Sequence, residues 1–307
     1  MDYASVVAAT NKVIAQYDVR LTIRQIYYRL ISPPFQLFAN TLSNYKGFDK
    51  ILTRAREKEE VDWRRIEDRS RTTIGGDGGF DSPEDFMDYV MRRTKGMWQG
   101  YSRPAWRDQP NYLEVWVEKD ALATLVSTVA DGFNVLTYPS RGYSSFTRVM
   151  EAIEDRFAQV DESREIFVIH LTDHDPSGLD MTRDVEERIR QYWPDADRLT
   201  IERVALTFDQ VKKFDLASNP TKSADPRATT YVAQYGDQCW ELDALPPDEL
   251  EKIVDRAIRS YIEDTIWNAN VRQIEKEKKE LEKKFSKMKL TFGEEEKPKK
   301  RKKGAKK

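Results

Sequence analysis

Apolar residues recur at helical spacing over the first sixty positions, then gather into short strand-like runs after residue 110. Residues 4–17 read as a helix. Thr22 followed by Gln25 has the form of a capping box and opens a second helix over 23–31, which Pro33-Pro34 ends. Phe48, Ile51, Leu52 and Ala55, at i, i+3, i+4 and i+7, predict a third helix over 44–58. Three short helices followed by 63–68 suggest a winged helix-turn-helix over 1–71. Residues 72–110 contain Gly75, Gly76, Gly78 and Gly79, then Ser82-Pro83-Glu84-Asp85, an N-cap with proline at the first helical position. This stretch reads as a connector carrying one helix.

From there strands and helices alternate: a strand at 112–117, a helix from Ala121, a strand at 134–138, a helix from Ser145, and strands at 166–171 and 199–206. Such alternation predicts an α/β (mixed) chain, with a parallel-sheet domain over 111–245. Pro246-Pro247-Asp248 opens a helix expected to run to about Trp267, within a helical segment 246–293. Residues 272–289 alternate Lys and Glu as a solvated helix would, and 294–307 read as a basic disordered tail.

Composition narrows the class. A 307-residue chain that is 39% hydrophobic can fill its own core. The lone Cys239 rules out a disulfide framework, and no long uncharged apolar run suggests a membrane span or signal peptide, so a cytoplasmic protein is expected. The formal charge of −2 is uneven: residues 297–307 hold eight Lys/Arg and no acid, leaving −10 on the first 296. Residues 1–71 hold 13 Lys/Arg against nine Asp/Glu, a modest footprint for a phosphate backbone.

The strongest chemical signal is acidic. Glu118 directly follows one strand, and Asp173 and Asp175 follow the strand at 166–171. Ligands of doubly wound sheets bind at strand carboxyl ends, and two acids spaced by two point to one side of an extended chain. Three such oxygen donors suit Mg²⁺, with Mn²⁺ as a substitute. The plainer alternative is that acids after strands cap helices or solvate loops. Pro176-Ser177-Gly178 reads as a tight turn holding the second aspartate inward, and His174 as a solvent-facing spacer.

VEKDAL (117–122), RGYSSFTR (141–148), TDHDPSGLD (172–180) and WELDAL (240–245) resemble the Toprim motifs of topoisomerase VI A subunits. TIRQIYYRL (22–30) resembles the stretch that holds the catalytic tyrosine of that group. The similarity spans residues from about 20 to 245, and the short chain looks most like compact stand-alone A-type proteins. It implies a Toprim-like domain over 111–245, a homodimer in which each tyrosine works with the metal site of the other subunit, and cleavage of double-stranded DNA.

Helical geometry separates the two tyrosines. Ile26, Tyr27 and Leu30 fall within about 60° of Ile23, which puts Tyr27 in the core, whereas Tyr28 falls roughly 140° away beside Arg24. Tyr28 is therefore read as exposed and free to act, with Arg24 steadying phosphate; the alternative is an exposed tyrosine without chemistry. A phenol that ionises near pH 10 must do so about three pH units lower, about 4 kcal/mol, to be a good nucleophile at neutral pH. Lys46, Lys50, Arg54 and Lys58, spaced by four, form a stripe that could follow DNA, although basic helix faces are often just solvated.

The expected activity is that of a type IIB topoisomerase-like transesterase. Tyr28 attacks a phosphodiester, and a metal held by Glu118, Asp173 and Asp175 stabilises the developing charge. No ATPase phosphate loop is present in the sequence, so strand passage would need a separate ATPase or regulatory subunit. Two rivals are a Toprim nuclease that uses water, with Tyr28 structural, and a non-catalytic DNA-binding module.

Overall fold

The computed structural model describes residues 1–67, 79–140, 142, 144–222 and 224–288. Along the chain run α1 (Tyr3–Ala15), β1 (Leu21–Thr22), α2 (Ile23–Ile31), α3 (Leu42–Glu57), β2 (Ile66–Glu67) and α4 (Pro83–Gly96). Then come β3 (Asn111–Val117), α5 (Ala123–Asp131), β4 (Leu136–Pro139), α6 (Phe146–Asp155), β5 (Glu165–Leu171), α7 (Pro176–Tyr192) and β6 (Leu199–Ala205). The remainder is α8 (Phe208–Lys213), β7 (Asn219–Pro220), α9 (Ala228–Tyr235), β8 (Gln238–Cys239), α10 (Pro247–Arg259) and α11 (Asp264–Ser286).

The expected α/β class holds. Four parallel strands lie in the order β4-β3-β5-β6, with Val117 opposite both Pro139 and Leu171. Leu113, Val115, Val117, Ile169 and Leu171 share one buried cluster with α5 and α10. Trp116, Ile166 and Val168 share another with α6 and α7. The strands are thus covered on both faces, which is why their sequences read as nearly continuous apolar runs. Between the strands and α6, Glu114 is fully buried and accepts from Tyr112 Oη (2.8 Å), Trp116 Nε1 (2.7 Å) and Arg156 Nε (2.8 Å).

At the N-terminus α1, α2 and α3 pack around Val13, Ile26, Tyr27, Leu30, Phe48 and Leu52. The capping box is present: Thr22 Oγ1 accepts from Gln25 N (3.0 Å) and Gln25 Oε1 from Thr22 N (2.9 Å). Thr22→Ala is expected to cost about 1 kcal/mol in denaturant melts; a loss within noise would mean the cap does not stabilise α2. A wing is not seen. Among described residues 1–67 the only strand pair, β1 with β2, is parallel and two residues long, where a wing needs an antiparallel hairpin.

Contacts group Met1–Thr73 with Pro104–Trp267 as one compact unit, and Ile74–Arg103 with Asn268–Lys307 as a second. In the second unit Ser82 caps α4 with Pro83 in its first turn, as the sequence suggested, and Phe80, Phe86 and Tyr89 cluster with ring centroids 5.0 and 5.1 Å apart. Tyr101 Oη donates to Glu277 there (2.7 Å).

Two further expectations are corrected. Pro176-Ser177-Gly178 is not a turn but the first turn of the 17-residue α7, with Asp175 as its N-cap. The helix after Pro246 stops at Arg259, and α11 starts anew at Asp264, so 246–267 is two helices. Gly75, Gly76, Gly78, Arg141, Tyr143 and the basic tail lie outside the described residues. No described helix is long and apolar enough to cross a membrane.

Candidate functional site

From β3 the chain leaves through α5 to β4 on one side, and from β5 it leaves through α7 to β6 on the other. The carboxyl ends of the adjacent strands β3 and β5 therefore flank the point where strand order reverses, the crevice in which open α/β sheets bind ligands. Glu118 is the first residue past β3, its N–H donating to Leu171 O (2.8 Å), and Asp173 is the second past β5. Two of the acids singled out by sequence, Glu118 and Asp173, meet here, and the third, Asp175, lies near enough to act electrostatically on Glu118. Asp173 N donates to Glu118 Oε2 (3.0 Å), Asp173 Oδ1 accepts from Leu242 N (2.7 Å), and Asp175 Oδ1 accepts from Ser177 Oγ (2.9 Å) and Gly178 N (2.6 Å).

Each carboxylate is thus oriented through one oxygen. Glu118 Oε1, Asp173 Oδ2 and Asp175 Oδ2 make no hydrogen bond among the described residues. Their electrostatics are tense. Burial, with the charges of Asp175 and Glu241, pushes Glu118 above the usual carboxylate range. Burial, with Glu118 and Glu241, pushes Asp173 up to about 7, although Lys119 and the Leu242 N–H pull it down. A divalent cation would relieve both, so this donor set fits Mg²⁺ in kind. Among the described residues, no group of three or more His, Cys, Asp and Glu already has metal-holding geometry.

Residues that the sequence reading quoted only within motifs complete the cluster. The Lys119 ammonium lies 3.1 Å from Asp173 Oδ1, 3.1 Å from Glu241 Oε2 and 2.7 Å from Asp243 Oδ2. Burial disfavours that charge, but Asp243, Asp173 and Glu241 together hold Lys119 well above its ordinary pKa. Glu241 also pairs with Arg24 of α2; against the penalty of burial, Lys119 and Arg24 keep it below the usual range. A usable signal existed: WELDAL repeats the spacing of two found in D-x-D, so Glu241 and Asp243 could have been grouped with Asp173 and Asp175.

His174 is corrected. It is fully buried rather than solvent-facing, because alternation turns it away from its flanking aspartates. Phe208, Tyr231, Tyr235 and Trp240 surround its ring. The Tyr231 hydroxyl donates to the His174 carbonyl (2.8 Å) and stands 2.8 Å from Nδ1. Backbone bonds with Trp240 (2.8 and 2.9 Å) complete the clamp on the aspartate loop. Burial pushes His174 down to about 4, so the ring is neutral at physiological pH.

Tyr28 is corrected too. It is 3% exposed, and its ring belongs to the sheet-side core cluster while Tyr27 fills the N-terminal one. On the face of α2 that periodicity left polar, Gln25 and Tyr28 are buried and Arg29 half-buried: Arg29 donates to Ala244 O and Tyr28 Oη accepts from Asn219 Nδ2 (2.9 Å). Burial, then Glu241, pushes the phenol well above 10, against Asn219, Arg24 and Lys119. The phenol is therefore shifted away from, not toward, nucleophilic readiness. Arg24, expected to steady phosphate, is committed to Glu241 and lies over the Tyr45 ring, 5.2 Å from its centroid. Within the chain Glu241 opposes ionisation of Tyr28, while Arg24 and Lys119 favour it.

On α3, Lys46, Lys50, Arg54 and Lys58 are exposed as a stripe. Arg54 and Lys58 lie over the Tyr3 ring, 5.5 and 5.3 Å from its centroid, while Lys46 and Lys50 have no ion pair among the described residues. No protein-family model matches this chain, and no curated protein matches it significantly.

Proposed function

We propose that the chain cleaves DNA by Mg²⁺-dependent transesterification, with Tyr28 as nucleophile and Glu118, Asp173 and Asp175 as the metal donors, in the manner of the topoisomerase VI A subunits its motifs resemble. The observation that carries the reading is the pairing of Glu118 with Asp173 at the switch point of the sheet, with Asp175 near enough to act on Glu118, each tied through one oxygen and without a hydrogen bond at the other among the described residues. Charge balance supports a cation there. Among the described residues the cluster holds five carboxyl groups, counting Glu241 and Asp243, against two cationic side chains, Lys119 and Arg24. A DNA phosphate would be repelled without added positive charge.

Bound Mg²⁺ would supply electrophilic stabilisation of the phosphoryl oxygens. Tyr28 Oη gives up its proton and forms the bond to phosphorus as the bond from phosphorus to the neighbouring sugar oxygen breaks, and that oxygen takes up a proton and leaves as the sugar hydroxyl. Lys119 and Arg24 are the cations placed to favour the phenolate. The resting phenol is shielded, so entry of DNA must uncover it. Lys46 and Lys50, with Arg54, are the proposed backbone contacts on α3. A homodimer would provide one tyrosine for each strand.

Hydrolysis by water at the same acids is the second reading, favoured by the burial and raised pKa of Tyr28. One experiment sorts them: supercoiled plasmid is incubated with the protein and Mg²⁺ or Mn²⁺, denatured, and assayed for protein covalently bound to DNA. Transesterification predicts adducts that vanish in Tyr28→Phe and in Asp173→Ala. Breaks without adducts, unchanged in Tyr28→Phe, would establish hydrolysis, and binding without breaks would leave a non-catalytic module.

A further inference from the structure

Under that reading one oxygen matters most, the Tyr28 hydroxyl, and it is held from a side that none of the motifs covers. Asn219, in β7, lies 191 positions away in sequence and places Nδ2 at 2.9 Å from Tyr28 Oη. An amide can present either its nitrogen or its oxygen, and here Asn40 settles the choice. Asn40 Nδ2 lies 2.6 Å from the Ser218 carbonyl and 3.1 Å from Asn219 Oδ1. The carbonyl can only accept, so Asn40 presents its amino group. Asn219 must then accept through oxygen on that side, and its own amino group faces Tyr28.

We infer that Asn219 is a catalytic hydrogen-bond donor to the attacking oxygen of Tyr28, and that Asn40 is the positioning residue that fixes the amide in its donating orientation. The inference rests on Tyr28 being the nucleophile. Physically, a donor stabilises a phenolate more than a phenol, because hydrogen bonds to charged groups are the stronger kind. It also occupies one lone pair of Oη, so the Tyr28 proton must leave by another direction. The charged groups facing Tyr28 are Glu241, which opposes ionisation, and Arg24 and Lys119, which favour it. Asn219 acts in the same sense as the two cations without adding charge to a crowded acidic centre.

A buried hydroxyl needs a partner in any protein. The test must therefore read ionisation rather than stability. Tyr28 is replaced in the full chain by a fluorinated tyrosine, whose electron-poor phenol ionises well below an ordinary one, and its ¹⁹F signal is titrated with pH. Asn219→Ala is expected to lower the phenolate fraction about tenfold at any pH below the midpoint. Asn40→Ala should act in the same direction more weakly. Asn219→Asp, which replaces the donor by an acceptor, should suppress the phenolate further.

An unchanged or lowered midpoint in Asn219→Ala overturns the inference. Should that variant not fold, Asn40→Ala and Asn219→Asp carry the same decision. Adduct yield against pH is followed in parallel. Asn219→Ala should move that profile to higher pH, whereas a loss equal at every pH would mark a structural role and overturn the inference. If the parent protein forms no adduct at any pH, the nucleophile reading fails on its own, while the ¹⁹F titration still decides whether Asn219 favours the phenolate.

Discussion

Lys119→Met is expected to destabilise the protein by about 3 kcal/mol in urea melts at neutral pH with a chelator present. Methionine keeps much of the length and apolar volume of lysine, so the effect isolates the charge. With the ammonium gone, Asp173, Glu241 and Asp243 face one another, Asp243 at 2% exposure, and only Glu241 keeps a cation, Arg24. Removing one partner of a buried ionic cluster is costly because the remaining charges stay desolvated and now repel. The sign with pH follows. Carboxyls whose folded pKa lies above the unfolded value bind protons more tightly when folded, so stability is greatest at low pH and falls as pH rises. In the parent this applies to Asp173, pushed up to about 7; in Lys119→Met, Asp173 should rise further and Glu241 should lose one of the two cations that hold it low, so the deficit should grow from about pH 5 to pH 8. A variant within about 1 kcal/mol of the parent at every pH would show that the cluster behaves as an exposed, solvent-screened set of charges.

Gly178→Ala is expected to cost about 3 kcal/mol or more, although the same change inside an ordinary helix stabilises by about 1 kcal/mol. A Cβ at Gly178 would lie 2.2 Å from the carbonyl oxygen of Asp173 and 3.0 Å from its carbonyl carbon, atoms of backbone that no rotamer change can move aside. The first turn of α7 must therefore retreat from the β5 end. Gly178 N is also the donor that holds Asp175 Oδ1, so the retreat loosens the cap and displaces Asp175 from Asp173 and Glu118. Thermal melts and Mn²⁺ binding by paramagnetic relaxation would report both effects. If Gly178→Ala matched the parent in both, the close approach of α7 to Asp173 would not matter to fold or site.

What could be read from the sequence follows from which interactions are local. The Thr22 and Gln25 cap, the Ser82 cap with Pro83 and the apolar strand before Asp173 are each specified within a few residues, and each stands where periodicity and capping rules put it. The placement of Glu118 beside Asp173 was legible because parallel strands ending in acids leave few other arrangements. Tyr28 was misread for the opposite reason. Helical periodicity finds one apolar face of α2, but it carries no information that the second face meets the 216–245 segment, which supplies Asn219, Glu241 and the Ala244 carbonyl. His174 failed likewise: alternation correctly turned it away from the aspartates, but only the fold reveals that four aromatic rings wait on that side. The Lys119 cage and the Asn40–Asn219 pair join residues more than fifty positions apart, and no local rule reaches them.

The seating of α2, with Tyr27 in one apolar cluster and Tyr28 in another, has a thermodynamic consequence. A nine-residue helix has almost no stability of its own in water. Its order is on loan from both neighbours at once, so loosening either side withdraws support from the other, and the N-terminal helices and the sheet should melt as a single cooperative body rather than shedding one before the other.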